Sequence, residues 1–423
     1  MKVVVVGGGS TYTPELVDGF ARLGGFVDEL VLLDPAADRL AVVGAFSARI
    51  FERYGHPGRL TWTSDVDSAL DGAGVVVIQL RVGGQRARIS DETFPLACGC
   101  VGQETTGAGG LAKALRTVPV VLDIAAKVAD GSWIVDFTNP VGIVTRALLD
   151  AGHRAAGLCN VAIGFQRLFA ERLGVAPDAV TLDHVGLNHL TWERAAYVDG
   201  VDRLPSLLAT HLEDFAARLE LPPLVLETLG VVPSYYLRYF YSHDEVVRQE
   251  QGAPTRGQRV AEIETELLQL YADPALTTKP ELLGQRGGAY YSEAAVGLIA
   301  ALHSVPSSVH AVNVRNHGTF PFLPDEAVIE VSCDVSSAGA TPIPVGGTPA
   351  GFPTAGPVAP DLAGLIGHVS AYEGLAVDAA LRGGWNRVYR ALLAHPLVGQ
   401  HDTAAALTDT LLAENREHLD WAR

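Results

Sequence analysis

Through the first 160 residues, short wholly apolar runs alternate with amphipathic stretches. The runs are KVVVV (2–6), LVLLD (30–34), VVVIQL (75–80), WIVDF (133–137) and the segment just before Cys159. Runs of this length without polar alternation suit strands buried on both faces of a parallel sheet. Between the first two, Thr13-Pro14-Glu15 offers a helix start with Thr13 as N-cap, and Gly24-Gly25 a stop. A second helix is expected from about Asp38 to Tyr54. The alternation predicts a Rossmann-like α/β unit, a doubly wound parallel sheet over residues 1–160.

Beyond position 160 the pattern changes. TLDHVGLNHLTWERAAYV alternates as strands, and helical periodicity follows near 206–219, 244–271 and 289–303. VHAVNVRN and AVIEVSCDV predict a strand pair, and two helices close the chain. Residues 161–423 are expected to form an α+β domain, with the Gly/Pro-rich stretch Ser336–Pro360 as a surface loop.

Composition narrows the partners. With 423 residues, 48% hydrophobic and 19% charged, the chain is globular and long enough for more than one core. The formal charge of −17 repels nucleic acid and anionic membranes, so an anionic ligand must be held by a few local arginines. No apolar run approaches the roughly 20 residues of a spanning helix. The first ten residues, MKVVVVGGGS, leave no room for a signal peptide, so a cytoplasmic location is expected. The four cysteines (Cys98, Cys100, Cys159, Cys333) then read as reduced thiols, one of them available to a metal.

The turn GGGSTYTPE follows the first strand. Gly7 and Gly9 fill two positions of the dinucleotide fingerprint, while Tyr12 stands where the third glycine would be. Strand, glycine turn and helix N-terminus still present free N–H groups to a pyrophosphate, with Ser10 and Thr11 in the turn. Asp34, ending the second strand, is placed to accept ribose hydroxyls, which favours NAD over NADP. The bland alternative is a tight turn in an ordinary α/β domain with Asp34 as a helix cap.

GGGSTYTPELV, GQETTGAGG (102–110), FTNPVG (137–142), GLCNV (157–161), GLNHL (186–190), YLRYF (236–240) and RGGAYYSEAA (286–295) occur in this order. With these motifs the chain resembles glycoside hydrolase family 4 over nearly its whole length, and within it the 6-phospho-β-glucosidases. The family is an NAD-dependent exception to two-carboxylate glycosidases. The resemblance implies a C-terminal domain like that of lactate and malate dehydrogenases and a homodimer or homotetramer. It also implies a redox-assisted elimination: hydride removal from sugar C3 by NAD, C2 deprotonation, loss of the aglycone, water addition and return of the hydride. A divalent metal, usually Mn2+, stabilises the enolate.

Residue by residue, the resemblance makes Cys159 and His189 metal ligands, Tyr236 the base, and Glu104 an acidic residue that raises its basicity. Arg88, Asn139, Asn160 and Arg256 match substrate-contacting positions, and the substrate class is a phosphorylated β-glucoside. Asn160 cannot donate a proton as the Asp of α-specific relatives does, which points to β-glucosides. Ala162 replaces a proline usual in the subgroup, and His184 stands where relatives often carry an aromatic ring. Taken without the family, these residues have plainer readings. Cys159 and His189 suit a small core thiol and a hydrogen-bonded imidazole, Tyr236 is one ring in the cluster Tyr235–Tyr241, and Arg88 and Arg256 suit ion pairs. Two rival functions stay open here: a lactate/malate-type dehydrogenase of a sugar or hydroxyacid, and a non-catalytic NAD-binding regulator.

Overall fold

The computed structural model describes residues 1–288, 290–303, 307–345 and 356–422. Its first six strands are β1 (Lys2–Val6), β2 (Glu29–Leu33), β3 (Arg59–Thr63), β4 (Val75–Ile78), β5 (Trp133–Asp136) and β6 (Ala155–Gly157). They lie parallel in the spatial order β3-β2-β1-β4-β5-β6, the doubly wound arrangement. Val3, Val4 and Val5 are fully buried, which is what an apolar run flanked by helices on both faces requires. β3 was not expected. Its sequence RLTWT alternates, and at the sheet edge its residues stay half-buried or exposed, so no apolar run announced it.

The order reverses between β1 and β4, and this opens a crevice at the carboxyl ends of the strands. Gly7 sits at that switch point with φ +86°, and a Cβ there would lie 2.7 Å from the Gln79 carbonyl oxygen. Only glycine allows both the conformation and the approach. The following helix, Thr13–Leu23, starts one residue earlier than expected: Tyr12 is the N-cap, and Thr13 lies inside the first turn beside the proline.

A second, small antiparallel sheet follows, built from β7 (Thr181–Leu187), β8 (Leu190–Val198), β9 (Val201–Asp202) and β10 (Val232–Pro233). β7 and β8 form a hairpin with Asn188-His189 at its tip. The strand pair from the second half, β11 (Ser308–Arg315) and β12 (Val328–Ser336), does not stand apart. β11 pairs with β6 antiparallel, so the large sheet grows to nine strands, with β13 (Gly339–Pro342) at its edge. β13 falls within the stretch expected to be a loop; residues 346–355 of that stretch lie outside the described residues. The expected 244–271 helix is two, His243–Gln251 and Arg256–Ala272, divided at Ala253-Pro254 because proline excludes a continuous helix. Three helices rather than two close the chain: Pro360–Arg382, Trp385–Leu393 and His401–Glu414.

Candidate active site

The crevice at the switch point is a cavity of about 1320 Å³. That exceeds the roughly 300–1,000 Å³ of an ordinary small-ligand site and suits two ligands side by side. Among the described residues it is lined by eight cationic side chains against five acidic ones. In a chain of charge −17 this local excess is what an anionic ligand needs.

Gly7, Gly9, Ser10 and Asp34 line one end. The Gly9 N–H donates to Asp34 Oδ2 at 3.0 Å, and the Ala36 N–H donates to Oδ1 at 2.9 Å. Asp34 thus braces the turn while lining the cavity. Thr11 is fully buried and is not part of the lining; its hydroxyl donates to Glu264 Oε1 at 3.2 Å. Glu264 gathers the floor beneath the turn. It accepts from Gln85, from Arg39 at 3.1 Å and from Arg286 at 2.9 Å, and Arg39 Nε also donates to the Gly9 carbonyl at 2.7 Å. Burial opposes the Glu264 charge, yet Arg286 and Arg39 hold its pKa below the usual carboxylate value. Sequence reasoning missed Glu264 and Arg39, which lie in no motif. It quoted Arg286 within RGGAYYS without giving it a role.

The middle of the cavity carries Arg88, Asn139, Glu104 and Arg256. Arg256 is the first residue of its helix, fixed there by a capping box between Thr255 and Gln258. Arg88 Nε is 2.8 Å from Glu92 and 3.1 Å from Glu104, so the ion-pair reading and the cavity position hold together. Among the described residues Asn139 Oδ1 is buried without a hydrogen-bond partner. An unpaired acceptor of this kind is destabilising until a ligand donates to it. Glu104 is held by Arg81, by Lys113 at 2.8 Å and by Arg88. Despite complete burial, these cations keep its carboxyl well below the ordinary range. Burial and the Arg81 guanidinium push Lys113 down to about 8. Neither Arg81 nor Lys113 stood out in the sequence.

At the far end Tyr236 lines the cavity, and its ring stacks on His189 with centroids 3.6 Å apart and planes 8° from parallel. Burial pushes the Tyr236 phenol well up, helped by Cys159, Tyr239 and Glu104, while Arg88 acts in the opposite sense. Cys159 is therefore an electrostatic neighbour of the phenol, although neither it, Asn160 nor His189 lines the cavity itself. Cys159 follows the carboxyl end of β6, and Asn160 caps the helix Val161–Leu173. Burial and Glu330 push the Cys159 thiol well above its normal value, against the neighbouring Val161 and Asn160 backbone and the Asn188 side chain, which favour the thiolate.

His189 occupies the hairpin tip with φ +62°, a conformation uncommon outside glycine and often found at functional sites. Burial lowers its pKa to about 4, so the imidazole is neutral. Its Nδ1 meets Thr105 Oγ1 at 3.1 Å, which leaves Nε2 to ligate. A buried thiol short of a cation and a neutral imidazole fit a soft or borderline divalent ion. Among the described residues no group of three His, Cys, Asp or Glu side chains is arranged for a metal, so this pair supplies only part of a shell. Open positions are what a catalytic ion needs.

Behind the pair lies a buried polar chain. His184 Nδ1 is 2.6 Å from Glu193 Oε1, and its Nε2 is 3.1 Å from Glu330 Oε1. Burial opposes the imidazolium, but Glu193 and then Glu330 raise its pKa from 6.5 to about 10. His184 thus contributes stability fully below pH 6.5, and that contribution is lost as pH rises through about 10. The melting temperature is expected to decline across that window. His184→Gln should be less stable by about 3–5 kcal/mol and should flatten the decline. Parallel melting curves for the two proteins would show His184 to be neutral.

Two family models match the chain, one described as family 4 glycosyl hydrolase over residues 2–175 and one as the family 4 glycosyl hydrolase C-terminal domain over 184–398. A probable 6-phospho-β-glucosidase of Bacillus subtilis is 36% identical, covering 99% of this chain and 97% of that protein. The structure of the 6-phospho-β-glucosidase from Thermotoga maritima with manganese, NAD+ and glucose-6-phosphate superposes with TM-score 0.90 at 31% identity, covering 99% of each chain. A malate dehydrogenase from Plasmodium falciparum shares the fold at TM-score 0.52 and 11% identity, covering 90% of this chain and 99% of that one.

Proposed function

The chain belongs to glycoside hydrolase family 4, and from that premise we propose that it is an NAD- and Mn2+-dependent 6-phospho-β-glucosidase. The observation that carries this reading is the stacking of Tyr236 on His189 at one end of a cationic cavity whose other end is the glycine turn. When bound, NAD supplies a hydride acceptor for sugar C3, and the divalent ion supplies a Lewis acid for the oxygen that gains negative charge next to it.

The protein's own groups divide the remaining work. Gly7, Gly9 and Ser10 hold the dinucleotide at the strand ends, and Asp34 keeps the turn in shape while facing the ribose. Arg88, Arg256 and Asn139 orient the phosphorylated sugar, with Asn139 Oδ1 satisfied by a sugar hydroxyl. Cys159 and His189 are the two protein ligands of the metal. Tyr236 takes the C2 proton as phenolate, and Glu104 keeps three cations gathered beside it. Asn160, which is no acid, leaves the departing aglycone to be protonated by water and supports the β over the α anomer.

The test is cleavage of p-nitrophenyl β-glucoside 6-phosphate beside its unphosphorylated and α counterparts, with NAD+ and Mn2+ present. Release of nitrophenol from the phosphorylated β substrate alone, without accumulation of NADH, is expected. Steady NADH formation would instead establish a dehydrogenase, and tight NAD binding with no cleavage of any substrate a regulator.

A further inference from the structure

Glu330 lies on β12, in the part of the large sheet contributed by the second half of the chain, and is 1% exposed. One of its oxygens, Oε2, accepts two hydrogen bonds that lead in different directions. One comes from Asn188 Nδ2 at 3.0 Å, and Asn188 is the hairpin residue immediately before His189. The other comes from Asn313 Nδ2 at 2.8 Å, and Asn313 pairs with Gly157 at the end of β6, two residues before Cys159. The Asn188 side chain is also a neighbour of Cys159 that favours its thiolate. The second oxygen, Oε1, faces His184, which is fixed from its other side by Glu193.

The segments carrying the two candidate ligands come from different sheets, whose strands β12 and β7 pack together and share the Ser332 Oγ bond to the Leu182 carbonyl. A single buried carboxylate oxygen ties them together, and the His184–Glu193 pair holds that carboxylate in place. We propose that Glu330 is a positioning residue for the metal: through Asn188 and Asn313 it sets the separation of Cys159 and His189. His184 and Glu193 serve as its buttress. Partners of this kind, one hydrogen bond removed from a ligand, typically govern metal affinity about 10–100-fold.

Chemistry at the donors supports the assignment. Asn188 gives an amide N–H to the Glu330 carboxylate, which fixes the rotation of a side chain on the residue next to His189. Replacing Glu330 by glutamine keeps the shape but offers an NH2 or a weaker carbonyl to two N–H donors, so at least one of the two ties is lost or weakened.

The proposal rests on the reading of Cys159 and His189 as ligands, and the experiment separates the two. Mn2+ binding is measured on the full chain by the free-ion EPR signal. The sulfur bond is read from the thiolate-to-cobalt charge-transfer absorption after loading with Co2+. Cys159→Ser should leave the free-ion EPR signal undiminished and abolish the cobalt band; if it alters neither binding nor band, the ligand assignment falls and this inference with it. With Cys159→Ser behaving as expected, Glu330→Gln should weaken Mn2+ binding by about 10–100-fold and shift the cobalt band, with NAD affinity unchanged. Unaltered Mn2+ affinity and an unaltered band in Glu330→Gln would overturn the positioning role and leave the ligands standing. Should Glu330→Gln fail to fold, Asn188→Ala, at a half-buried hairpin position, carries the same expectation and the same refutation.

Discussion

Cys159→Ser is expected to remove metal-dependent cleavage almost entirely while leaving NAD affinity unchanged. A serine hydroxyl at this depth has no route to ionise, and the ion loses its one anionic protein ligand. A Lewis acid contributes several kcal/mol to an enolate-like transition state, so the loss corresponds to about 10³-fold or more in kcat. The separation of effects follows from topology. Cys159 ends β6 and the glycine turn ends β1, with β4 and β5 between them. Three strand spacings place the two about 14 Å apart along the same edge of the sheet. Kinetics at saturating Mn2+ and NAD titration by fluorescence check the two halves. Equal loss of both would contradict this division of labour.

Tyr236→Phe is the second large effect. Phenylalanine keeps the ring that stacks on His189 and removes only the oxygen, so Mn2+ binding should persist. Removing a general base typically lowers turnover about 10²–10⁴-fold. The more discriminating readout is isotopic. A substrate deuterated at C2 should exchange its label with solvent or react more slowly in the wild type. In Tyr236→Phe the exchange should vanish. Exchange at the wild-type rate in the variant would assign the proton to another group. Lys113 is the natural next candidate, because it lines the same cavity and its pKa is drawn down to about 8.

Burial also explains why Tyr236, to act as a base, would need a partner. In the protein alone, desolvation first and then the neighbours Cys159, Tyr239 and Glu104 push the phenol towards its protonated form, with Arg88 the opposing cation. A divalent cation held by the adjacent thiol and imidazole would favour the phenolate. Cys159→Ser should therefore also suppress C2 exchange, although it leaves the Tyr236 hydroxyl in place.

What was legible in the sequence was local. Apolar runs of four or five residues gave β1, β2, β4 and β5, because burial on both faces of a parallel sheet imprints itself on consecutive residues. The glycine turn was legible because Gly7 answers to a local backbone conformation with positive φ, although the close approach to Gln79 that also demands glycine comes from a distant strand. Cys159, His189 and Tyr236 could be named only through the motifs around them, since a thiol, an imidazole and a phenol far apart in sequence carry no periodic signal. β3 escaped because an edge strand is solvated and needs no apolar run.

Everything that depends on distant segments meeting was decided by the tertiary structure. Thr11 and Glu264 are separated by 253 residues and share a hydrogen bond, and His184 and Glu330 are separated by 146. Neither glutamate lies in a motif, and a buried carboxylate looks like any surface acid until its cations and donors are assembled around it. The sequence by itself determined the strand ends at which the reacting groups must collect. The return of β11 and β12 to the edge of β6 decided how those ends are locked together, because antiparallel pairing brings Asn313 beside Gly157 and so seats Glu330 near Cys159 and His189.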